Sequence, residues 1–175
     1  SKIARNIIKA RKIKRISRVS ELVKIIEKSK KKNYNKKINI CTKTFQALRI
    51  FVNKETTELI EGIIQATKLI KEGGKIIIIS FHSIEDKIVK FYFSNFSQDR
   101  SKSSRYLPEK TDNDFIFFEN YKNKFLQPTK EEILENPPSR SAKLRFVTRN
   151  KKKFYYPEDF KIKFKKYLDL ESIHV

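Results

Sequence analysis

Ser80, His82, Ser83, Glu85 and Asp86 lie within seven residues of one another, directly after four consecutive isoleucines in GGKIIIISFHSIED (73–86). Hydroxyl, imidazole and carboxylate groups gathered so closely can hold and move protons or grip a polar ligand. Two readings of the stretch compete. In the first, Ser83 is the N-cap of a following helix. Asp86 then takes the fourth position of a capping box, and Glu85 and Asp86 meet the positive end of the helix dipole. Capping accounts for those three residues but leaves Ser80 and His82 unexplained. In the second, Ser80 and His82 sit at the carboxyl end of a central strand, the edge at which open α/β sheets bind ligands. A Ser80–His82–Asp86 hydrolase is disfavoured. There is no G-x-S-x-G elbow, and neighbouring residues of a strand point to opposite faces.

The elements that position these residues follow from periodicity. Residues 75–81, KIIIISF, form a continuous apolar run of strand length, typical of a parallel strand covered on both faces. Gly73 and Gly74 stop the helix before it, predicted over 55–71 with Leu59, Ile63, Ala66 and Ile70 on one face. SIEDKIVKFYFSNF gives a further helix with Ile84, Ile88, Phe91 or Tyr92, and Phe96 buried. Upstream, helices are predicted at 2–12 and 18–29, the second capped by Ser17 or Ser20. Another lies at 42–53. The basic stretch KSKKKNYNKKIN between them marks a boundary. Residues 97–130 read as a long loop with a short strand near 115–118. NPPSRSAKLRFVTR (136–149) reads as a rigid turn and then a strand over 142–148. NPPS resembles the Asn/Asp/Ser-Pro-Pro-aromatic motif of amino-group methyltransferases acting on DNA. Ser139 replaces its aromatic residue, and the tetrapeptide precedes a strand, so the turn is preferred. The predicted class is α/β: the second half of a doubly wound sheet, preceded by helices.

Charge points to a partner. Lys and Arg number 41 against 20 acidic residues, a net of +21. Residues 1–37 alone hold 15 basic residues against Glu21 and Glu27. A compositional bias would spread evenly. Concentration in one segment favours a nucleic-acid contact surface. No run of about 18 apolar residues suggests a membrane span, and the basic helices lack the Trp/Phe/Leu face of membrane-surface helices. The opening SKIARNIIKARKIKR has the composition of an organelle transit peptide, but its pattern continues into more helix. A mitochondrial address is therefore the lesser reading beside a reducing cytoplasm, which suits the lone Cys41. One Cys and two distant His do not make a zinc site of the usual kind, so no metal is expected. The chain contains no methionine and opens inside a helical pattern, which suggests a fragment.

Three blocks, TFQALRIFVN, GGKIIIISFHSIEDKIVKFYF and NPPSRSAKLRFVTR, resemble in order and spacing the RsmH (MraW) family. Its members are S-adenosylmethionine-dependent methyltransferases acting on the N4 amine of a cytidine in the decoding region of small-subunit ribosomal RNA. KIARNIIKARK and SELVKII resemble the family's inserted helical domain. The resemblance covers residues 2–150, loosely over 97–135. It implies the C-terminal half of a Rossmann-like class I methyltransferase sheet (42–150), the end of the inserted RNA-recognition domain (1–37) and a basic aromatic tail of unassigned role (151–175). It further implies a substrate pocket at Ser80, His82 and Glu85. RNA contacts would come from Lys9, Arg11, Lys12, Lys14, Arg15, Arg49, Arg140, Lys143 and Arg145. The partner implied is small-subunit rRNA or the 30S particle, in a bacterial cytoplasm.

Two departures stand out. INICTK places Asn39 and Ile40 where the family shows a Lys-His-Pro-Ala-Thr-Arg-like stretch. The family's glycine-rich cofactor loop, its acidic ribose partner and its DLGVSS-like segment have no counterpart, so no S-adenosylmethionine-binding residue is assigned within these 175. The alternative is a non-catalytic basic RNA-binding module.

Overall fold

The computed structural model describes residues 2–29, 39–97, 116–119 and 121–173. The chain divides into two compact units, residues 1–53 and 54–175.

The first unit holds α1 (Lys2–Ile13), α2 (Val19–Ser29) and α3 (Thr42–Val52). α1 packs on α2, where Asn6 donates to Ser29 Oγ at 2.8 Å and Ile26 is fully buried. Neither Ser17 nor Ser20 lends a hydroxyl to the start of α2. Instead, Glu21 reaches back from the first turn and accepts the Ser17 and Arg18 N–H groups at 2.9 and 3.1 Å. Those two bonds, opposed by slight desolvation, hold its carboxyl below the usual range. A carboxylate does this better than a hydroxyl, because the helix dipole adds to the hydrogen bonds. Before α3, Asn39 forms an Asx turn, its side-chain oxygen accepting the Cys41 N–H at 2.8 Å. The expected 28–39 boundary loop lies largely outside the described residues.

The second unit contains α4 (Glu55–Leu69), β1 (Lys75–Ser80), α5 (Ser83–Asn95), α6 (Lys130–Glu135), a 3-10 turn (Pro137–Ser141), β2 (Lys143–Thr148) and α7 (Glu158–Glu171). It is a mixed α/β body. The strands predicted at 75–81 and 142–148 fall within a residue of those observed, whereas near 115–118 only Phe118 makes isolated bridges among the described residues, and the strand pairing differs from expectation. Among the described residues, β1 pairs only with β2, and antiparallel, from Lys75↔Thr148 to Ser80↔Lys143. One sheet face is covered. Ile76 and Val147 are buried beside Ile63, Ile64, Ile88 and Phe93. On the other face Ile77, Ile79 and Phe146 are 60, 53 and 48% exposed. Apolar composition along β1 therefore reported two apolar faces, and only one is packed within these residues.

Gly73 has φ +75, the left-handed turn that releases the chain into β1. Its N–H donates to Arg149 O at 2.9 Å, while Arg149 N–H donates to Gly74 O at 2.8 Å, closing that end of the ladder. Phe118 bridges both Ser97 and Arg149, and Leu126 bridges Leu144, adding short extended pieces beside β2. The rest of the predicted loop (98–115, and 120) lies outside the described residues. The core is aromatic: Phe91, Tyr92, Phe96, Phe117, Phe118, Phe160 and Phe164 interlock with ring centroids mostly 4.6 to 6.5 Å apart. Two of these rings belong to α7, so the tail beyond residue 150 is part of the core.

Candidate functional site

β1 ends at Ser80, and the chain turns through Phe81 into α5. The N-cap is His82, one residue earlier than the Ser83 predicted. His82 is extended (φ −139, ψ 164), and its side chain takes the capping role. Its Nδ1 accepts the Glu85 N–H at 3.4 Å. Glu85, not Asp86, holds the reciprocal position. Its Oε2 accepts the backbone N–H groups of Phe81 and His82 at 2.8 and 3.2 Å. The box is thus shifted by one residue, with imidazole where a hydroxyl is common. Because Nδ1 accepts, a neutral His82 carries its proton on Nε2. That nitrogen is buried. It lies 3.1 Å from Glu85 Oε1, yet off the line of the ring N–H, so it makes no hydrogen bond.

The shift frees Asp86 for another task. Its Oδ1 accepts from Arg145 Nε at 2.8 Å and its Oδ2 from Lys143 Nζ at 3.1 Å. Burial pushes the Asp86 carboxyl up. The hydrogen bonds and charges of Arg145 and Lys143 outweigh burial and hold it below its usual range. Arg145 is 2% exposed and also donates to Tyr121 Oη at 2.7 Å. Both cations lie over the Phe125 ring, at 5.0 and 4.9 Å.

A cavity of about 380 Å³ opens at this strand end, lined by Ser80, Phe81, His82, Ser83, Asp86, Gln127, Arg140, Ser141 and Lys143. Its size is within the range of small-molecule sites. Ser80 is 2% exposed and its hydroxyl makes only a long bond, 3.4 Å, to Lys143 O. Residues 80–86 and 140–143, far apart in sequence, meet here because β2 runs antiparallel to β1 and places Lys143 opposite Ser80. Phe81, Ser83, Asp86, Gln127 and Ser141 were not among the predicted site residues, while Glu85, which was, does not line the cavity. Phe81 and Asp86 flank residues that were, and proximity to them was the available signal. Gln127 had none.

The predicted basic residues separate into groups. Lys9, Arg11, Lys12, Lys14 and Arg15 are all exposed, on α1 and the turn after it. Lys14 is 3.7 Å from Glu21. Arg49 is exposed on the last turn of α3. Arg140 and Lys143 line the cavity. Arg145 is enclosed, with its guanidinium committed to Asp86 and Tyr121, so its place is in the wall behind the cavity and not on an open surface. A third grouping, Glu55, His82 and Glu85, brings its ligand atoms within 4.8 Å of one another. One imidazole and two carboxylates suit a divalent cation chemically, although the capping box already explains His82 and Glu85.

The profile of the MraW methylase family matches residues 1–150. The chain is 45% identical over 146 residues to "Ribosomal RNA small subunit methyltransferase H" of Ehrlichia chaffeensis, covering 83% of this chain and 46% of that protein. It is 42% identical over 149 residues to the protein of the same name from Bartonella bacilliformis, covering 85% and 44%. For the Wolbachia of Brugia malayi the identity is 39% over 148 residues, covering 85% and 41%. The chain thus spans somewhat under half the length of these relatives. With its profile matched across 150 of 175 residues, the chain belongs to the MraW methylase family.

Proposed function

We propose that this chain supplies the base-binding wall and an RNA-gripping surface of an S-adenosylmethionine-dependent methyltransferase, which modifies the N4 amine of a cytidine in small-subunit ribosomal RNA. The observation that carries this reading is the convergence of the 80–86 and 140–143 segments on one polar cavity at a strand end, within a chain whose relatives are named for small-subunit rRNA methylation. In the same reading, the sheet is half of a class I methyltransferase sheet and α1 and α2 belong to an inserted RNA-recognition domain.

The methyl donor, when bound, supplies an electrophilic sulfonium methyl. The glycines of this chain do not suit its cradle. Gly62 is inside α4, Gly73 forms the turn into β1, and Gly74 is packed so closely on Ile70 that a Cβ would meet its side chain at 2.6 Å. The donor is accordingly assigned to the portion of the longer relatives that this chain does not span.

What remains for these residues is the nucleophile's side. The lone pair of the cytosine amine is delocalised into the ring, so the amine is a weak nucleophile. Acceptors that hold its N–H bonds turn that lone pair toward an electrophile, and positioning supplies much of the rate. The hydroxyls of Ser80, Ser83 and Ser141 and the Gln127 amide oxygen line the cavity as acceptors. Lys143 and Arg140 suit the base's ring acceptors or an adjoining phosphate. The exposed Phe81 ring at the mouth offers a stacking face to a base taken out of its stack. Away from the cavity, the α1 cations bind backbone phosphates.

The test uses the complete coding region and undermethylated 30S subunits. Ser80→Ala and His82→Ala are each expected to lower the methylation rate by about 100-fold, the order of a misplaced positioning group. Unchanged rates in both would sink the pocket assignment. If the wild type binds rRNA without methylating it, the non-catalytic RNA-binding reading takes over; the five exposed cations on α1 and the turn after it favour it.

A further inference from the structure

Helix α4 starts without a cap of its own. Its N-cap residue, Lys54, sits in the left-handed region at φ 51 and gives no side-chain bond. Lysine has no acceptor to offer, and the first N–H groups of a helix need one. The acceptor arrives from the far end of the chain. Glu171 Oε1 accepts the Thr56 N–H at 3.1 Å, and Oε2 accepts the Thr57 N–H at 2.8 Å and the Thr57 hydroxyl at 2.7 Å. Glu171 is 5% exposed and Thr56 is also buried. A negative charge is further favoured here by the helix dipole. Glu171 is the last residue of α7, whose Phe160 and Phe164 anchor that helix in the core. α7 lies wholly beyond residue 150, where the family profile ends.

The residue immediately before the two capped threonines is Glu55, and its carboxylate lies within 4.8 Å of the His82 and Glu85 ligand atoms. His82 in turn lines the cavity. A line of neighbouring groups therefore runs from the tail through the first turn of α4 to the cavity wall. We propose that Glu171 is a positioning residue: by capping α4 from the C-terminal helix it fixes Glu55 against His82 and Glu85, so that the tail tunes the substrate pocket. This rests on the methyltransferase reading for its kinetic consequence, but not for its structural one.

Two variants of the full-length protein separate positioning from general stability. Glu171→Gln keeps the size but replaces one acceptor oxygen with a donor aimed at N–H groups. Phe164→Leu loosens the same helix without touching the cap. Glu171→Gln is expected to lower kcat about tenfold or more, with KM for 30S subunits within about twofold. Phe164→Leu, at an equal or larger drop in Tm, is expected to leave kcat within about twofold. The second readout needs no activity. With 13C-labelled histidine, and the His82 signal assigned from His82→Gln, the His82 ring resonances should move in Glu171→Gln and stay in place in Phe164→Leu. An unmoved His82 signal with unchanged kcat in Glu171→Gln overturns the proposal, as does an equal kcat loss in Phe164→Leu. An inactive wild type whose His82 signal still responds to Glu171→Gln would fail the methyltransferase reading and leave the clamp standing.

Discussion

At the scale of single residues, the one-position shift of the capping box decides which groups are available. Ser83 and Asp86 were the expected cap pair, because serine and a carboxylate three positions on are the usual sequence signal. His82 and Glu85 take those roles instead, since strand β1 ends at Ser80 and leaves His82, not Ser83, with extended backbone at the helix start. Asp86 is thereby released to face β2 and bind Lys143 and Arg145. An enclosed guanidinium left without its carboxylate is costly, by about 3 kcal/mol or more. Asp86→Ala is therefore expected to lower the unfolding free energy by about that amount in urea titration, and a loss below about 1 kcal/mol would contradict the pairing. The pH dependence has a definite sign. The folded-state pKa of Asp86 is depressed below its ordinary 3.8. Its contribution is complete above that value and is lost as pH falls through the lower, folded one. Asp86→Asn should flatten the acid limb of stability below about pH 4 and leave the slope near neutrality unchanged. An acid limb as steep as in the wild type would argue against this assignment.

At the scale of elements, α1 and α7 show opposite uses of basic amphipathic helices. α1 keeps Lys9, Arg11 and Lys12 in solvent, with Lys14 and Arg15 just beyond its end. If they bind RNA phosphates, each contact adds about 0.7 to 0.9 to the log–log salt slope. Changing all five to Ala should reduce the slope of rRNA binding by about 3 to 4, and a slope reduced by less than about 1 would remove α1 from the interface. α7 also carries many lysines, and Lys161 is raised well above its ordinary pKa, first by its bond to Glu61 and then by Tyr156. Yet this helix is anchored inward through Phe160 and Phe164. Phe160, Phe164, Leu168 and Glu171 follow helical spacing, so the buried stripe was present in the sequence. It was obscured because lysines interrupt the stripe and because an acid, Glu171, ends it on the buried side. An acid on a buried face makes sense only once the N-terminus of α4, more than a hundred residues earlier, is seen to receive it.

Across the molecule, the second unit leaves one sheet face open among the described residues. Ile77 pairs with Phe146 in the β ladder and Ile79 with Leu144, and three of these four are about half exposed or more. Contiguous apolar surface of this kind marks a contact face or an aggregation liability. The 175-residue chain is expected to bind the dye ANS. The triple variant Ile77→Ser, Ile79→Ser, Phe146→Ser should bind about half as much or less at little cost in Tm, since those side chains are not in the packed core. Equal dye binding by the variant would place the open surface elsewhere. No described helix is long and apolar enough to cross a membrane.

Local and short-range properties were determined by the sequence itself. Periodicity marked α1 to α5 and both strands. Motif spacing marked the 73–86 and 136–149 blocks, and uneven charge marked the first unit as the basic one. These features depend on neighbours a turn or a pleat away, so linear order carries them. Tertiary structure decided the rest: the antiparallel pairing that places Lys143 opposite Ser80, the enclosure of Arg145, the assignment of the cap to His82, and the carboxylate that Glu171 lends to α4. Apart from the His82 cap, whose partners are local and whose place follows from where β1 ends, each of these depends on where a distant segment lands. A basic side chain reads the same in sequence whether water or a buried carboxylate surrounds it, and only the fold supplies that surrounding.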